Sequence, residues 1–414
     1  MSTTHQPKAG TGLLSVEQAR ERIMALVTPI TTQERLHLRA ALNRVLAEDI
    51  ISTVNVPPYA NSAMDGYALR CADLSDASVT LRVTGTSFAG KPFCGTVEPG
   101  CCVRIMTGAV MPNGVDTVLM QEQVQRIDDS ITVLGSHKLG ENVRHIGEDI
   151  SIGNVVLAAG RRLVPADIGL IASLGIGEVS VLRRIRVAFF STGDELRSIG
   201  EPLAEGQIYD SNRYTLYGML ARLGAELIDI GVIPDQRERI ETAFLEAAQA
   251  ADVVITSGGV SVGEADYVKD ALDKVGNVDF WKIAMKPGKP LACGKVRQSL
   301  FFGLPGNPVS VMATFYQFVQ PALRRMSGET EITTATIKVV CANLLQKQSG
   351  RTDFQRGLLR RNATGELIVD STGLQGSHVL SSMSRANCFI ILPAECGNLP
   401  AGTLVEVQPF EGLI

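Results

Sequence analysis

Asp194, Glu195, Asp235, Glu264 and Asp266 each follow an apolar run of strand type, and so do Lys286 and Lys289. Two more segments belong with them. One is Ser257-Gly258-Gly259, after Val253-Val254-Ile255, and the other is Pro305-Gly306-Asn307-Pro308, after 300–302. Carboxylates suit a hard cation such as Mg²⁺, which takes oxygen ligands. Ammonium groups and the backbone amides of glycine loops suit phosphate or another oxyanion. The two sets together suit metal-assisted group transfer on a phosphorylated substrate. The alternative is that they are solvated loop charges with no common purpose.

These residues can meet only if the runs they follow are parallel strands, whose following loops open at one edge of a sheet. The region 185–328 has that texture. Strand-like runs at 187–190, 226–233, 253–255, 280–283 and 300–302 alternate with helical patterns at 213–223, 238–250, 267–272 and from Pro308 to Met326. Such alternation predicts a largely parallel sheet covered on both faces. Asn307 is placed to cap the last helix, and Pro308 suits its first turn.

The flanking regions differ. Ser15 and Gln18 form a capping box ahead of an apolar face made by Val16, Ala19, Ile23, Leu26 and Val27. From Leu36 to Asp49 a short strand and then a second helix are expected, with Ala41, Leu42, Val45 and Leu46 inward. Residues 53–150 read as a mostly β insertion. Its polar patches, Asn61 to Tyr67, Met106-Thr107-Gly108 and Arg144 to Asp149, could each be ordinary turn chemistry. The segment 151–184, with Pro165 at a helix start, is expected to pack back on the N-terminal helices. It would form a discontinuous linking domain with 13–52. Residues 329–414 lack helical periodicity and predict a small closed or sandwich β module.

Composition narrows the classes. The chain has 414 residues, enough for several domains, and a formal net charge of −4, which gives no support for nucleic-acid binding. No apolar stretch is long enough to span a membrane, and the polar N-terminus lacks a signal-peptide core. The 8 cysteines contain no C-x-x-C pair and read as reduced core thiols of a cytoplasmic protein. No P-loop, dinucleotide fingerprint or G-x-S-x-G elbow is present, and the 5 histidines show no ligand spacing.

The motifs SAMDGYA (62–68), MTGA (106–109), GEDI (147–150), STGDEL (191–196), SGGVSVGEADY (257–267), MKPGKP (285–290) and LPGNPVS (304–310) occur in this order. With them the chain closely resembles the MoeA family, the molybdopterin molybdenumtransferases, which include the E domain of gephyrin and its plant homologues. The resemblance implies a multidomain α/β and β protein. It would have a doubly wound α/β domain of molybdopterin-binding type at 185–328, the β insertion, the α+β linking domain and the C-terminal β module. It implies a homodimer with the insertion of one subunit facing the α/β domain of the other. The implied reaction is insertion of molybdenum from molybdate into adenylylated molybdopterin, with release of AMP and help from Mg²⁺. Carried over by motif, Asp65, Thr107, Asp149, Glu195, Asp235, Asp266 and Lys286 are expected to be catalytic. Glu195, Asp235 and Asp266 are the expected metal-linked acids. Ser257, Gly258, Gly259, Lys286, Lys289, Pro305, Pro308, Arg356 and Ser377 are expected to bind substrate or oxyanion. Ala60 and Val110 depart from the family's usual Asp and Pro. Competing readings are a molybdopterin adenylyltransferase, disfavoured by the full four-part layout, and a non-catalytic dimeric scaffold. A molybdopterin adenylyltransferase and molybdoenzyme-maturation proteins are candidate partners.

Overall fold

The computed structural model describes residues 13–74, 78–259 and 267–410. Its centre is a six-stranded sheet in the order Glu226–Ile233, Arg186–Thr192, Val253–Ser257, Ser299–Leu304, Pro290–Val296, Gly276–Lys282. The first four strands are parallel. Pro290–Val296 is reversed, and Gly276–Lys282 is antiparallel to it, so that last strand runs with the first four. The strand ends at Thr192, Ile233, Ser257, Lys282 and Leu304 therefore lie along one edge, together with the start at Pro290.

Both faces of this sheet are covered, as the strand–helix alternation requires. On one face Phe190, Val254 and Phe301 pack on Ile240 and Phe244, and Phe244 makes edge-to-face contacts with Phe190 at 5.3 Å and Phe301 at 5.5 Å. On the other face lie helix Ser211–Arg222 and a continuous helical rod, Pro308–Thr314, the π-turn Phe315–Val319 and Gln320–Met326.

That rod is a hub. Helix Val16–Leu26, which begins with the expected capping box, buries Val16, Ala19 and Ile23 in the same core rather than against 151–184. Arg20 of this helix donates to Gln317 Oε1 at 3.2 Å. From the C-terminal side, Phe354, Phe389 and Phe410 enter the same core. Phe389 meets Phe410 edge to face at 4.8 Å and Tyr316 edge to face at 5.7 Å.

Residues 38–50 and 150–181 form a separate small core with Leu46, Leu163, Ile171 and Val181. Strand Gln33–His37 pairs with Glu178–Leu182. The expected second helix is absent. A 3₁₀ turn, Leu38–Ala41, ends there, and Asn43 takes a φ of 63°. The backbone of 44–46 then bonds to Leu163, Arg161 and Leu182, and Leu42 is exposed. The apolar spacing at 41, 42, 45 and 46 belongs to an extended segment pinned from two sides.

The insertion rises from this core through the pairing of Val56 with Ile150. It holds a six-stranded sheet in the order Thr117–Met120, Gly66–Leu69, Cys101–Ile105, Ser78–Ser87, Ser130–Leu134, Val124–Ile127. The C-terminal module is a closed barrel. Ile337–Cys341, Thr352–Arg361, Leu367–Ser371, Cys388–Leu392 and Leu404–Pro409 form its wall, and Thr352–Arg361 pairs with Cys388–Leu392 to close it. A short helix, Leu380–Arg385, interrupts the strands.

Candidate functional site

The C-terminal edge of the central sheet gathers most of the expected residues of the α/β region. Ser257 ends a fully buried strand, and its Oγ accepts a 2.8 Å hydrogen bond from Asn212 Nδ2. The next two residues turn sharply. Gly258 has φ of 94°, and a Cβ there would lie 2.7 Å from the Thr192 carbonyl oxygen, so only glycine fits. Its N–H donates to Leu304 O at 3.1 Å, which ties this loop to the neighbouring one.

That neighbour holds buried Pro305, exposed Gly306 and Asn307, and half-buried Pro308. Pro308 does open the helix, and Asn307 stands at the cap position without a side-chain hydrogen bond to the helix. The free helix amide of Val309 instead donates to the carbonyl of Ser377, 3.1 Å away. Ser377 is thereby brought from the barrel domain to the Pro305–Pro308 turn.

Arg356 explains how Ser377 is held. It is 1% exposed, and burial pulls its guanidinium down to about 10. It donates from Nε to Ser382 Oγ at 3.0 Å and from Nη2 to the carbonyls of Leu374, at 3.2 Å, and Gly376, at 3.0 Å. These faces of Arg356 are committed to holding the 374–382 segment in place.

Lys286 and Lys289 sit on the loop that follows Gly276–Lys282, at the same edge, and both are exposed. Lys286 Nζ lies 3.8 Å from buried Asp353 of the barrel.

The acids divide. Asp194, Glu195 and Asp235 are exposed neighbours, and the Asp235 N–H donates to Asp194 Oδ1 at 3.2 Å. Partial shielding from water, then the nearby Asp194 and Glu195 carboxylates, hold the Asp235 carboxyl above its ordinary range. Such a set of oxygens in mutual repulsion fits a hard divalent cation. Among the described residues no three acidic, histidine or cysteine groups close into a metal cage. Glu264 and Asp266 lie outside the described residues.

Beneath this edge lies a polar floor absent from the expected set. The side-chain oxygens of Ser191, Thr192 and Thr256 and the Oδ1 of Asn212 are buried without a hydrogen-bond partner. Asp210, 1% exposed, caps helix Ser211–Arg222 through Arg213 N–H at 3.2 Å. The polar run 210–213 at a helix start was the available signal; it also reads as plain capping.

Asp65, Thr107 and Asp149 stand apart, all exposed on the insertion. Asp65 Oδ1 accepts from the Thr107 N–H at 2.7 Å and from the Thr107 hydroxyl at 2.8 Å. Those two bonds, the backbone one first, hold the Asp65 carboxyl below its ordinary range. Among the described residues, Asp65, Thr107 and Asp149 have no hydrogen bond or ion pair to the α/β domain. Ala60 and Val110 flank this patch. Ala60 O accepts from Met111 N–H at 3.0 Å, and Val110 bridges Asn61.

Comparison with known proteins covers nearly the whole chain. Residues 14–175 match the profile of the MoeA N-terminal region (domain I and II). Residues 188–325 match a probable molybdopterin binding domain, and 338–410 match the MoeA C-terminal region (domain IV). A molybdopterin molybdenumtransferase of Haemophilus influenzae is 49% identical over 97% of this chain and 100% of its own length. One from Nostoc is 40% identical over 94% of this chain and 93% of its own. Gephyrin of Dictyostelium discoideum is 33% identical over 90% of this chain and 59% of its own. Among solved structures, the molybdopterin biosynthesis MoeA protein of Pyrococcus horikoshii superposes with a TM-score of 0.84 at 31% identity, over 96% of this chain and 100% of its own.

Proposed function

We infer the chemistry of this site from the premise that the chain belongs to the MoeA family of molybdopterin molybdenumtransferases. It is a transferase of molybdenum cofactor biosynthesis that inserts molybdenum from molybdate into adenylylated molybdopterin and releases AMP. The observation that carries this reading is full-length similarity to proteins of that name, 49% and 40% identical to this chain. The reading as an adenylyltransferase is not favoured by relatives that match 97% and 94% of the chain.

The residues divide the work as follows. Ser257, Gly258 and Gly259, with the Pro305–Pro308 turn, form the floor that seats the organic substrate. Lys286, Lys289 and Ser377 supply donors to molybdate, a tetrahedral dianion that only accepts hydrogen bonds. Arg356 acts through the 374–377 segment it braces. Glu195, Asp235 and Asp266 would hold Mg²⁺, which would supply positive charge to offset that of the phosphate. The raised carboxyl of Asp235 supports this assignment, because a cation there relieves the repulsion.

Asp65, Thr107 and Asp149 complete the site from a second subunit. Two features support a homodimer. Among the described residues, these three have no hydrogen bond or ion pair to the α/β domain of their own chain. The α/β domain also exposes apolar side chains close together in sequence, among them Ile199 (60%), Ile208 (56%) and Tyr217 (53%). All 8 cysteines are free, in keeping with a cytoplasmic enzyme, and among the described residues no helix is long and apolar enough to cross a membrane.

The test is AMP release from adenylylated molybdopterin, with and without molybdate and Mg²⁺. Molybdate-dependent release is expected in the wild type. Lys286→Ala is expected to raise the molybdate concentration needed for half-maximal rate while leaving the melting temperature in place. Unchanged molybdate dependence would remove Lys286 from the oxyanion site, and no release under any oxyanion would overturn the reading.

A further inference from the structure

Asn212 has no part in the roles above, yet it touches both substrate-side loops. Asp210 caps the helix start and so fixes Asn212 in the first turn of Ser211–Arg222. The Nδ2 of Asn212 donates to Ser257 Oγ at 2.8 Å and to Gly306 O at 2.7 Å. A backbone carbonyl can only accept, so the atom facing Gly306 is the amide nitrogen, and the orientation of the carboxamide is settled. One side chain thus spans the end of strand Val253–Ser257 and the turn that leads into helix Pro308–Thr314. The far side of that turn is held by the Val309–Ser377 bond. This arrangement leaves Asn212 Oδ1 buried and unpaired. An unpaired buried acceptor is unfavourable, and such local costs collect at functional sites.

We propose that Asn212 is a positioning residue that sets the separation of the Ser257–Gly259 and Pro305–Pro308 loops. Substrate seated across both loops is aligned only while that separation is kept, and a misalignment of an ångström lowers turnover steeply. What the loops hold rests on the function proposed above; the latch itself does not.

The experiment uses the full chain as wild type, Asn212→Ala and Asn212→Asp, with two readouts. The first is hydrogen exchange in the segments 253–259 and 304–312, and the second is molybdate-dependent AMP release. Exchange is expected to rise in both segments of both variants, with the barrel strands unchanged. kcat/KM is expected to fall about tenfold or more in each. Asn212→Asp should be no better than Asn212→Ala although it fills the same space, because it presents oxygen to the Gly306 carbonyl. Its activity relative to wild type should recover as pH falls, since a protonated carboxyl regains one donor. Unchanged exchange in the two loops, or wild-type activity in Asn212→Asp at neutral pH, would overturn the proposal and leave Asn212 a space-filling residue. If Asn212→Ala does not fold, Asn212→Asp decides alone. If the wild type itself releases no AMP, the functional reading falls while the exchange result still decides the latch.

Discussion

Two carboxyl groups carry opposite shifts. Asp65 is held low by its two bonds from Thr107. A depressed carboxyl favours the folded state above its ordinary value near 3.8, and that contribution is lost as pH falls through the folded pKa. Thr107→Val removes the hydroxyl and keeps the backbone bond, so the Asp65 pKa should move up towards its ordinary value without reaching it, measured by carboxyl-carbon NMR titration. Asp235 is raised, so its sign is reversed. It weakens the folded state as pH rises from near 3.8 through its folded pKa, and the penalty is fully present above that. Asp235→Asn should therefore melt higher than wild type near pH 7 and no higher near pH 3. Added Mg²⁺ should raise the melting temperature of the wild type and leave that of Asp235→Asn nearly unchanged. A wild type indifferent to Mg²⁺ in that assay would remove Asp235 from the metal.

Elements carry two further expectations. Glu329, 2% exposed, is shared by Arg162, with Nη2 at 2.6 Å, and Arg324, with Nη2 at 2.8 Å, and so locks the linking region to the helical rod. Removing the shared partner of a buried ion network costs about 3–5 kcal/mol. Glu329→Ala should lower the unfolding midpoint in urea accordingly, whereas an exposed pair such as Arg35–Glu178 should matter little. The elements also show what sequence pattern can carry. The strands at 226–233 and 253–257 were legible because their apolar runs face helices on both sides. Thr352–Arg361 was not, because its buried residues include Asp353, Gln355 and Arg356, paired with one another or with backbone carbonyls. The reversed strand Pro290–Val296 was hidden by Pro290 and Gly294. Without it the direction of Gly276–Lys282, and hence the edge on which Lys286 lies, could not be derived. In the site, charged loop residues were conspicuous, whereas Asn212 lay in a polar run that reads as plain helix capping, because its two partners belong to loops far away in sequence.

For the whole molecule, the decisive expectation concerns a site divided between subunits. Asp65→Ala and Asp235→Ala should each abolish AMP release. Mixing the two after dissociation and reassociation should restore about a quarter of the wild-type activity, because half the dimers are mixed and each carries one intact site. No recovery from demonstrably mixed dimers would place the site within one chain. The shared core has a consequence of another kind. The helical rod that backs the Ser257–Gly259 and Pro305–Pro308 loops is enclosed by Val16 to Ile23 on one side and by Phe354, Phe389 and Phe410 on the other. During synthesis, the sheet at 185–304 leaves the ribosome long before the barrel strand Leu404–Pro409 and Phe410 that follows it. Until that strand arrives, the rod presents a bare apolar surface to the cell. The nascent α/β domain must therefore wait for a segment about a hundred residues downstream of its sheet, and in that interval it is a natural client for chaperones.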